Sequence, residues 1–152
     1  MGKENLTDLI KFLLPFPDEV KAAALGLREF VWDLYPDTNE LIYDNYNALA
    51  LGWSLTDKAG DVFCSIAIYS GHVNFGFNRG SEIDDPQKIL VGNGSLYRYI
   101  SVKDKADFPE EDILQLLQSA YENAASRLKP TKKVFKGQTI VKSISPKKRR
   151  PE

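Results

Sequence analysis

A chain of 152 residues, 43% of them apolar, is long enough to close one core without staples and fits a single domain. One cysteine, Cys64, and one histidine, His72, exclude an internal disulfide, fit a reducing compartment and leave no Cys/His zinc set within the chain. The net charge of −1 conceals a split: residues 129–152 hold nine Lys/Arg and one acid, a net of +8, whereas residues 1–128 hold eleven basic and twenty acidic residues, a net of −9.

The opening "MGKENLTDLIKFLLPFP" is interrupted by Asp8 and Lys11 and has no small-residue cleavage site, so it does not read as a signal peptide. Leu6 stands where a myristoylation motif wants Ser or Thr. No apolar run approaches the ~20 residues of a membrane span. A soluble cytoplasmic protein without a membrane partner is expected. Leu6, Leu9, Ile10, Leu13 and Leu14 keep helical spacing and predict a short helix that Pro15 and Pro17 stop. Pro17, Asp18 and Glu19 predict the start of a second helix, because proline suits the first turn and acids suit the positive end of the dipole. Its stripe is Val20, Ala24, Leu27, Val31 and Leu34, and Pro36 and Asp37 end it.

The period then changes. "ELIYDN" and "NALALGWSL" read as strands, followed by a turn at "TDKAGD". "VFCSIAIY" puts Val62, Cys64, Ile66 and Ile68 on one face, and "HVNFGFN" does the same with Val73, Phe75 and Phe77. Ser70-Gly71 between them predicts a tight hairpin. "SLYRYISV" places Leu96, Arg98, Ile100 and Val102 opposite Tyr97, Tyr99 and Ser101. A closing helix follows Pro109, with Glu110, Glu111 and Asp112 in its first turn. Ile113, Leu116, Leu117, Ala120, Tyr121, Ala124 and Leu128 form its stripe, and Pro130 ends it. Strands in one block between helices predict an α+β fold: an antiparallel sheet of about five strands with N-terminal and C-terminal helices packed on one face. Residues 1–128 form the domain, and residues 129–152 are a basic tail, partly docked or disordered, in which "VFKGQTIVKSI" can dock as a strand or an extended arm.

Three stretches resemble the YdhG-like family, known as domain of unknown function 1801: "DEVKAAALGLREFVWDLYPDTNELIYDNY", "AIYSGHVNFGFNRG" and "DDPQKILVGNGSLYRYISV". The resemblance covers roughly residues 13–128. The chain departs from the family in reading "YDNYNAL" where a Gly and a Pro are common. The resemblance implies a compact sheet with flanking helices and no established enzyme activity; because some members are described as frataxin-like iron chaperones, it also implies iron as an alternative cargo.

Each candidate site has a structural reading beside the functional one. Glu82, Asp84 and Asp85 offer oxygen ligands for a hard cation, iron or calcium included, or the residues any turn requires. Asp104, Asp107, Glu110, Glu111 and Asp112 are a second acidic run, which a helix N-terminus explains by itself. Gly92 and Gly94 of "GNG" can present backbone N–H groups to an anion, with Arg98 or Arg79 as charge partner, or simply make a turn. Arg98 shares a strand face with Leu96 and Ile100; a core position demands an ion pair, with Glu40 or Asp84 as its partner, and the functional reading is a pocket floor that receives a carboxylate or phosphate. His72 has no evident nucleophile or orienting group, and Cys64 reads as a small buried hydrophobe. Trp53, Tyr43, Tyr46, Tyr97 and Tyr99 line an aromatic pocket or form cross-strand pairs. Lys147, Lys148, Arg149 and Arg150 suit a nucleic-acid or other anionic partner, or a solvated tail. With no nucleophile–base pair and no cofactor motif, the expected function is a non-catalytic binding domain for a small ligand or a protein partner. Iron delivery and weak nucleic-acid binding by the tail are the alternatives.

Overall fold

The computed structural model describes residues 7–103, 108–128 and 136–147. Leu6, Asp104, Asp107, Pro130 and Lys148 to Arg150 lie outside the described residues. The fold is α+β: three helices and a six-stranded, mostly antiparallel mixed sheet, with helices packing on it. Among the described residues no helix is long and apolar enough to cross a membrane.

Helix α1 spans Thr7–Leu13 and buries Leu9 and Leu13, while Ile10 and Leu14 stay exposed. Helix α2 spans Asp18–Leu34 with Pro17 at its N-cap, and its first-turn acids oppose the positive dipole end. It buries Val20, Ala23, Ala24, Leu27, Arg28, Val31 and Trp32. Leu34, expected on that stripe, is exposed, because the buried arc runs through Arg28 and Trp32 instead. Helix α3 spans Glu110–Arg127 after Pro109 and buries Ile113, Leu116, Leu117, Ala120 and Ala124.

The strands are β1 (Asn39–Asp44), β2 (Leu49–Ser54), β3 (Val62–Ile68), β4 (Val73–Phe77), β5 (Arg98–Val102) and β6 (Thr139–Ile144). Their order in the sheet is β5-β4-β3-β2-β1-β6. The first five form an antiparallel meander; the β3–β4 hairpin is closed by the Tyr69 N–H donating to the His72 carbonyl at 2.9 Å. The expectation of about five antiparallel strands is corrected at one edge. Thr139–Ile144, within the basic tail, adds a sixth strand parallel to β1. A strand that returns after a helix can run either way, and no turn residue announces its direction.

One face of the sheet carries Ile42, Leu51, Trp53, Ile66, Ile68, Val73, Phe75, Phe77, Ile100 and Val102, buried in one core with the helices. Phe75 rests edge-on against Phe108, and Trp32 of α2 against Trp53 of β2. A bulge corrects one expected face. The register steps between Trp53 and Ser54, so Val62 pairs with Ser54 and lies against Gly52 rather than beside Cys64. The extra residue is Phe63, which turns to the helices and packs on Tyr35 and Tyr121.

Candidate functional site

The register assigns the other face residue by residue: Asn39, Leu41 and Tyr43 from β1; Ala50, Gly52 and Ser54 from β2; Ser65 and Ala67 from β3; Asn74 and Gly76 from β4; Tyr99 and Ser101 from β5. No Asp, Glu, Lys or Arg stands among them. One end is covered by the loop after β2. Asn39 Nδ2 donates to the Thr56 carbonyl at 3.1 Å, and Ser54 Oγ donates to the Lys58 carbonyl at 2.9 Å. The other end is a cleft of about 650 Å³ lined by Asn45, Tyr46, Asn47, Ala48, Ala50, Ser65, Ala67, Tyr69, Tyr97 and Ser145. This falls within the ~300–1,000 Å³ range of small-molecule sites.

The cleft exists because small residues line up across three strands. Ala50 faces Ala67 in the β2–β3 register, Ser65 faces Gly76 in the β3–β4 register, and none projects far enough to fill the concavity. Gly76 is needed for a second reason: a Cβ there would lie 2.6 Å from Tyr97 Cε1. The Tyr97 ring therefore rests on the sheet over Gly76, stacks on Tyr99 at 5.7 Å and reaches a hydrogen bond with Ser65. Burial, followed by the neighbouring Tyr69, pushes the Tyr97 phenol up to about 12, with the Ser65 hydrogen bond partly opposing them. Tyr97 is thus a neutral group at physiological pH. On the β3–β4 hairpin, Tyr69 stacks on His72 at 4.8 Å. The remaining edge is the Asn45–Ala48 turn, closed by the Asn45 N–H donating to the Ala48 carbonyl at 3.0 Å. Beside it, the Ser145 N–H donates to the Asp44 carbonyl at 2.8 Å, which brings the segment after β6 to the rim.

Of the aromatic set expected from the sequence, Tyr46 and Tyr97 line the cleft and Tyr99 backs Tyr97. Trp53 is fully buried on the opposite face. Tyr43 shares the open face with the cleft but does not line it, and burial raises its phenol. Sequence reasoning missed Tyr69, Ser65, Ala50 and Ala67. Their only signal was small residues at alternate positions of neighbouring strands, which points nowhere until the register is known.

Arg98 corrects an expectation. Its guanidinium donates to the Gly94 and Tyr97 carbonyls at 2.6 and 2.7 Å rather than to Glu40 or Asp84. Glu40 and Arg98 stand at opposite ends of the row that runs through Trp53, Cys64 and Phe77, four strand spacings or about 19 Å apart. Glu40 instead accepts Arg28 Nε and Nη2 from α2 at 2.7 and 2.8 Å, with Thr139 Oγ1 as a third donor at 2.9 Å. Gly92 adopts φ +127° and packs against Tyr97 and Arg98, whereas Gly94 faces open space apart from its carbonyl. Arg79 pairs with Glu82 at 2.9 Å. Neither Arg79 nor Arg98 lines the cleft.

The acidic loop is occupied by local partners. Both Asp85 carboxylate oxygens accept backbone N–H groups, from Ile89 and Leu90 at 3.1 and 3.0 Å. Glu82 accepts Arg79 and Asn123, and the Arg79 hydrogen bond, more than any other contact, holds its carboxyl below the usual range. Asp84 lines a separate polar hollow of about 360 Å³ with Pro86 and one side of α3. Among the described residues no three His, Cys, Asp or Glu side chains group to hold a metal ion. The buried Cys64 thiol is raised well above its ordinary value by desolvation. Lys147 is exposed, two residues past Ser145. No family model, curated protein or solved structure matches the chain.

Proposed function

We propose that this domain binds an uncharged, ring-bearing ligand in the cleft on the open sheet face and does not transform it. The observation that supports this reading is the lining itself. A floor of Ala50, Ser65 and Ala67 is edged by Tyr46, Tyr69 and Tyr97, with the polar groups of Asn45, Asn47 and Ser145 at one side. Small floor residues leave depth, tyrosine faces stack on rings, and amides and hydroxyls supply both donors and acceptors. The lining contains no carboxylate, imidazole, thiol or cation. A charged ligand would lose its hydration there without recovering an ion pair. A phenol held near 12 is a hydrogen-bond donor rather than a general base at neutral pH.

The test uses two neutral probes, adenosine and maltose, titrated into the full chain while backbone amide NMR signals are followed. Saturable shifts are expected at Ala50, Ser65, Ala67 and Tyr97 with at least one probe. Ala67→Leu, which fills the floor, is expected to abolish them while the spectrum stays folded. Shifts that survive Ala67→Leu, or no saturable shift with either probe, would overturn the reading.

A further inference from the structure

What the cleft offers a ligand is hydrogen bonds and ring faces. Of the ten described residues that line it, seven carry an amide or a hydroxyl, and the other three are Ala48, Ala50 and Ala67. No Leu, Ile, Val, Met, Phe or Trp is among them, so the apolar share is three methyl groups and the tyrosine rings. The Asn45–Ala48 turn sets Tyr46 between two asparagines, and all three residues are exposed. Beside that turn, Tyr69 lies nearly parallel to His72, their ring planes 12° apart. At the far end of the floor the Tyr97 hydroxyl meets Ser65. Ser65 and Tyr69 are four residues apart on extended chain, which makes the floor roughly 13 Å long.

We propose that the ligand of this cleft is a neutral sugar chain of two or more pyranose rings, its rings stacked on Tyr46 and Tyr69 and its hydroxyls bonded by Asn47, Ser65 and Tyr97. The proposal rests on the cleft being the site of an uncharged ligand and narrows that ligand to one class. A sugar presents a hydroxyl at almost every ring carbon, each a donor and an acceptor. It therefore needs walls dense in groups that can do either. A carboxamide offers a carbonyl and an NH2 side by side, and a hydroxyl offers both from one atom. A sugar ring also has an apolar side, where C–H bonds point from one face, and the negative face of a tyrosine ring attracts them. A purine has polar atoms only at its edge, so it would leave most of the seven polar side chains facing flat ring surface without a partner. The lining holds no charge, and a neutral sugar asks for none. The floor is longer than one pyranose ring, which leaves room for a second. His72 behind Tyr69 fixes the plane of that ring before the ligand arrives, which lowers the ordering cost of binding.

The experiment follows the backbone amide NMR signals of the full chain while glucose, maltose, maltotriose and adenosine are titrated in separately. Saturable shifts at Ala50, Ser65, Ala67 and Tyr97 are expected with maltose and maltotriose, and both should bind more tightly than glucose because a second ring reaches a second tyrosine. Tyr46 and Asn47 are exposed, so Tyr46→Ala and Asn47→Ala should keep the folded spectrum. Tyr46→Ala is expected to weaken maltotriose binding by roughly tenfold and Asn47→Ala by roughly threefold to tenfold. Wild-type affinity for maltotriose in both variants would overturn the proposal, as would glucose binding as tightly as maltotriose. Adenosine binding the cleft as tightly as maltose and maltotriose, or more tightly, would sink the sugar assignment and leave the uncharged-ligand reading standing. No saturable shift with any of the four would remove both.

Discussion

The two faces of one sheet are built from the same strands and share almost nothing else. Phe75 and Asn74 are neighbours on β4, yet Phe75 is sealed beneath the helices while Asn74 only accepts the Ser101 hydroxyl at 2.9 Å in the open. The covered face is made of large apolar groups and includes the Arg28–Glu40 ion pair, which is itself buried and bidentate. On the five antiparallel strands the open face carries mostly small or polar residues and tyrosines, with Leu41 among them, and none of those strand positions holds Asp, Glu, Lys or Arg. Stability is concentrated on the first, and the cleft of the proposed site lies on the second. Alternation along a strand lets the two be specified independently.

The sharpest break of this contrast is expected on the covered face. Phe75→Ala should cost about 3–5 kcal/mol by leaving a cavity, whereas Asn74→Ala, one residue away, should stay within about 0.5 kcal/mol. Urea unfolding of the two variants measures the difference. Equal losses would mean that the open face also carries the fold. Glu40→Ala is expected to cost a similar ~3–5 kcal/mol, because it deprives the Arg28 guanidinium of its carboxylate inside the core and removes the acceptor of Thr139. Hydrogen exchange along β6 should rise in that variant, since Thr139 ties this strand to the pair.

A smaller effect is expected at Gly76. An added methyl meets only the far end of Tyr97, so Gly76→Ala should displace that ring at a cost of about 1 kcal/mol, the worth of its hydrogen bond to Ser65. Binding in the cleft should suffer more than stability, the reverse of the Phe75 result. The mildest effect is pH-dependent. Tyr35 and Tyr97 both sit near 12 in the folded chain, raised first by burial, against about 10 when unfolded. The unfolded chain therefore loses these protons first. Their contribution is fully present below pH 10 and is lost as pH rises from about 10 through 12. Melting temperatures measured across that window should fall, and Tyr35→Phe with Tyr97→Phe should flatten the decline. An unchanged slope would mean that other groups govern the alkaline transition.

Much of the architecture was legible along the chain, because helical and alternating periods are local. The helix bounds follow Pro17, Pro36 and Pro109, and Val73, Phe75 and Phe77 are fully buried as their alternation requires. The candidate site was far less legible. Tyr46 and Tyr97 could be named from composition, but Trp53, equally aromatic, went to the core, and the partner of Glu40 proved to be Arg28 on α2 rather than Arg98. Arg28 is a charged residue in the middle of an apolar stripe, a signal that reads as a helix flank until the strand opposite is placed. Ala50, Ala67 and Ser65 are commonplace singly and become a floor only when the strands align.

The amino-acid order alone determined the helices, the strand block and the β3–β4 hairpin, since each depends on residues close to one another along the chain, and the divided charge, which composition gives directly. Tertiary structure decided what sequence distance conceals: the sixth strand and its direction, the exchange of ion-pair partners, and the meeting of a tyrosine-edged hollow with the start of the cationic run. Those depend on pairing between distant parts of the chain, as between Gln138 and Asn39, 99 residues apart, and cross-strand register is fixed by packing rather than by any local preference.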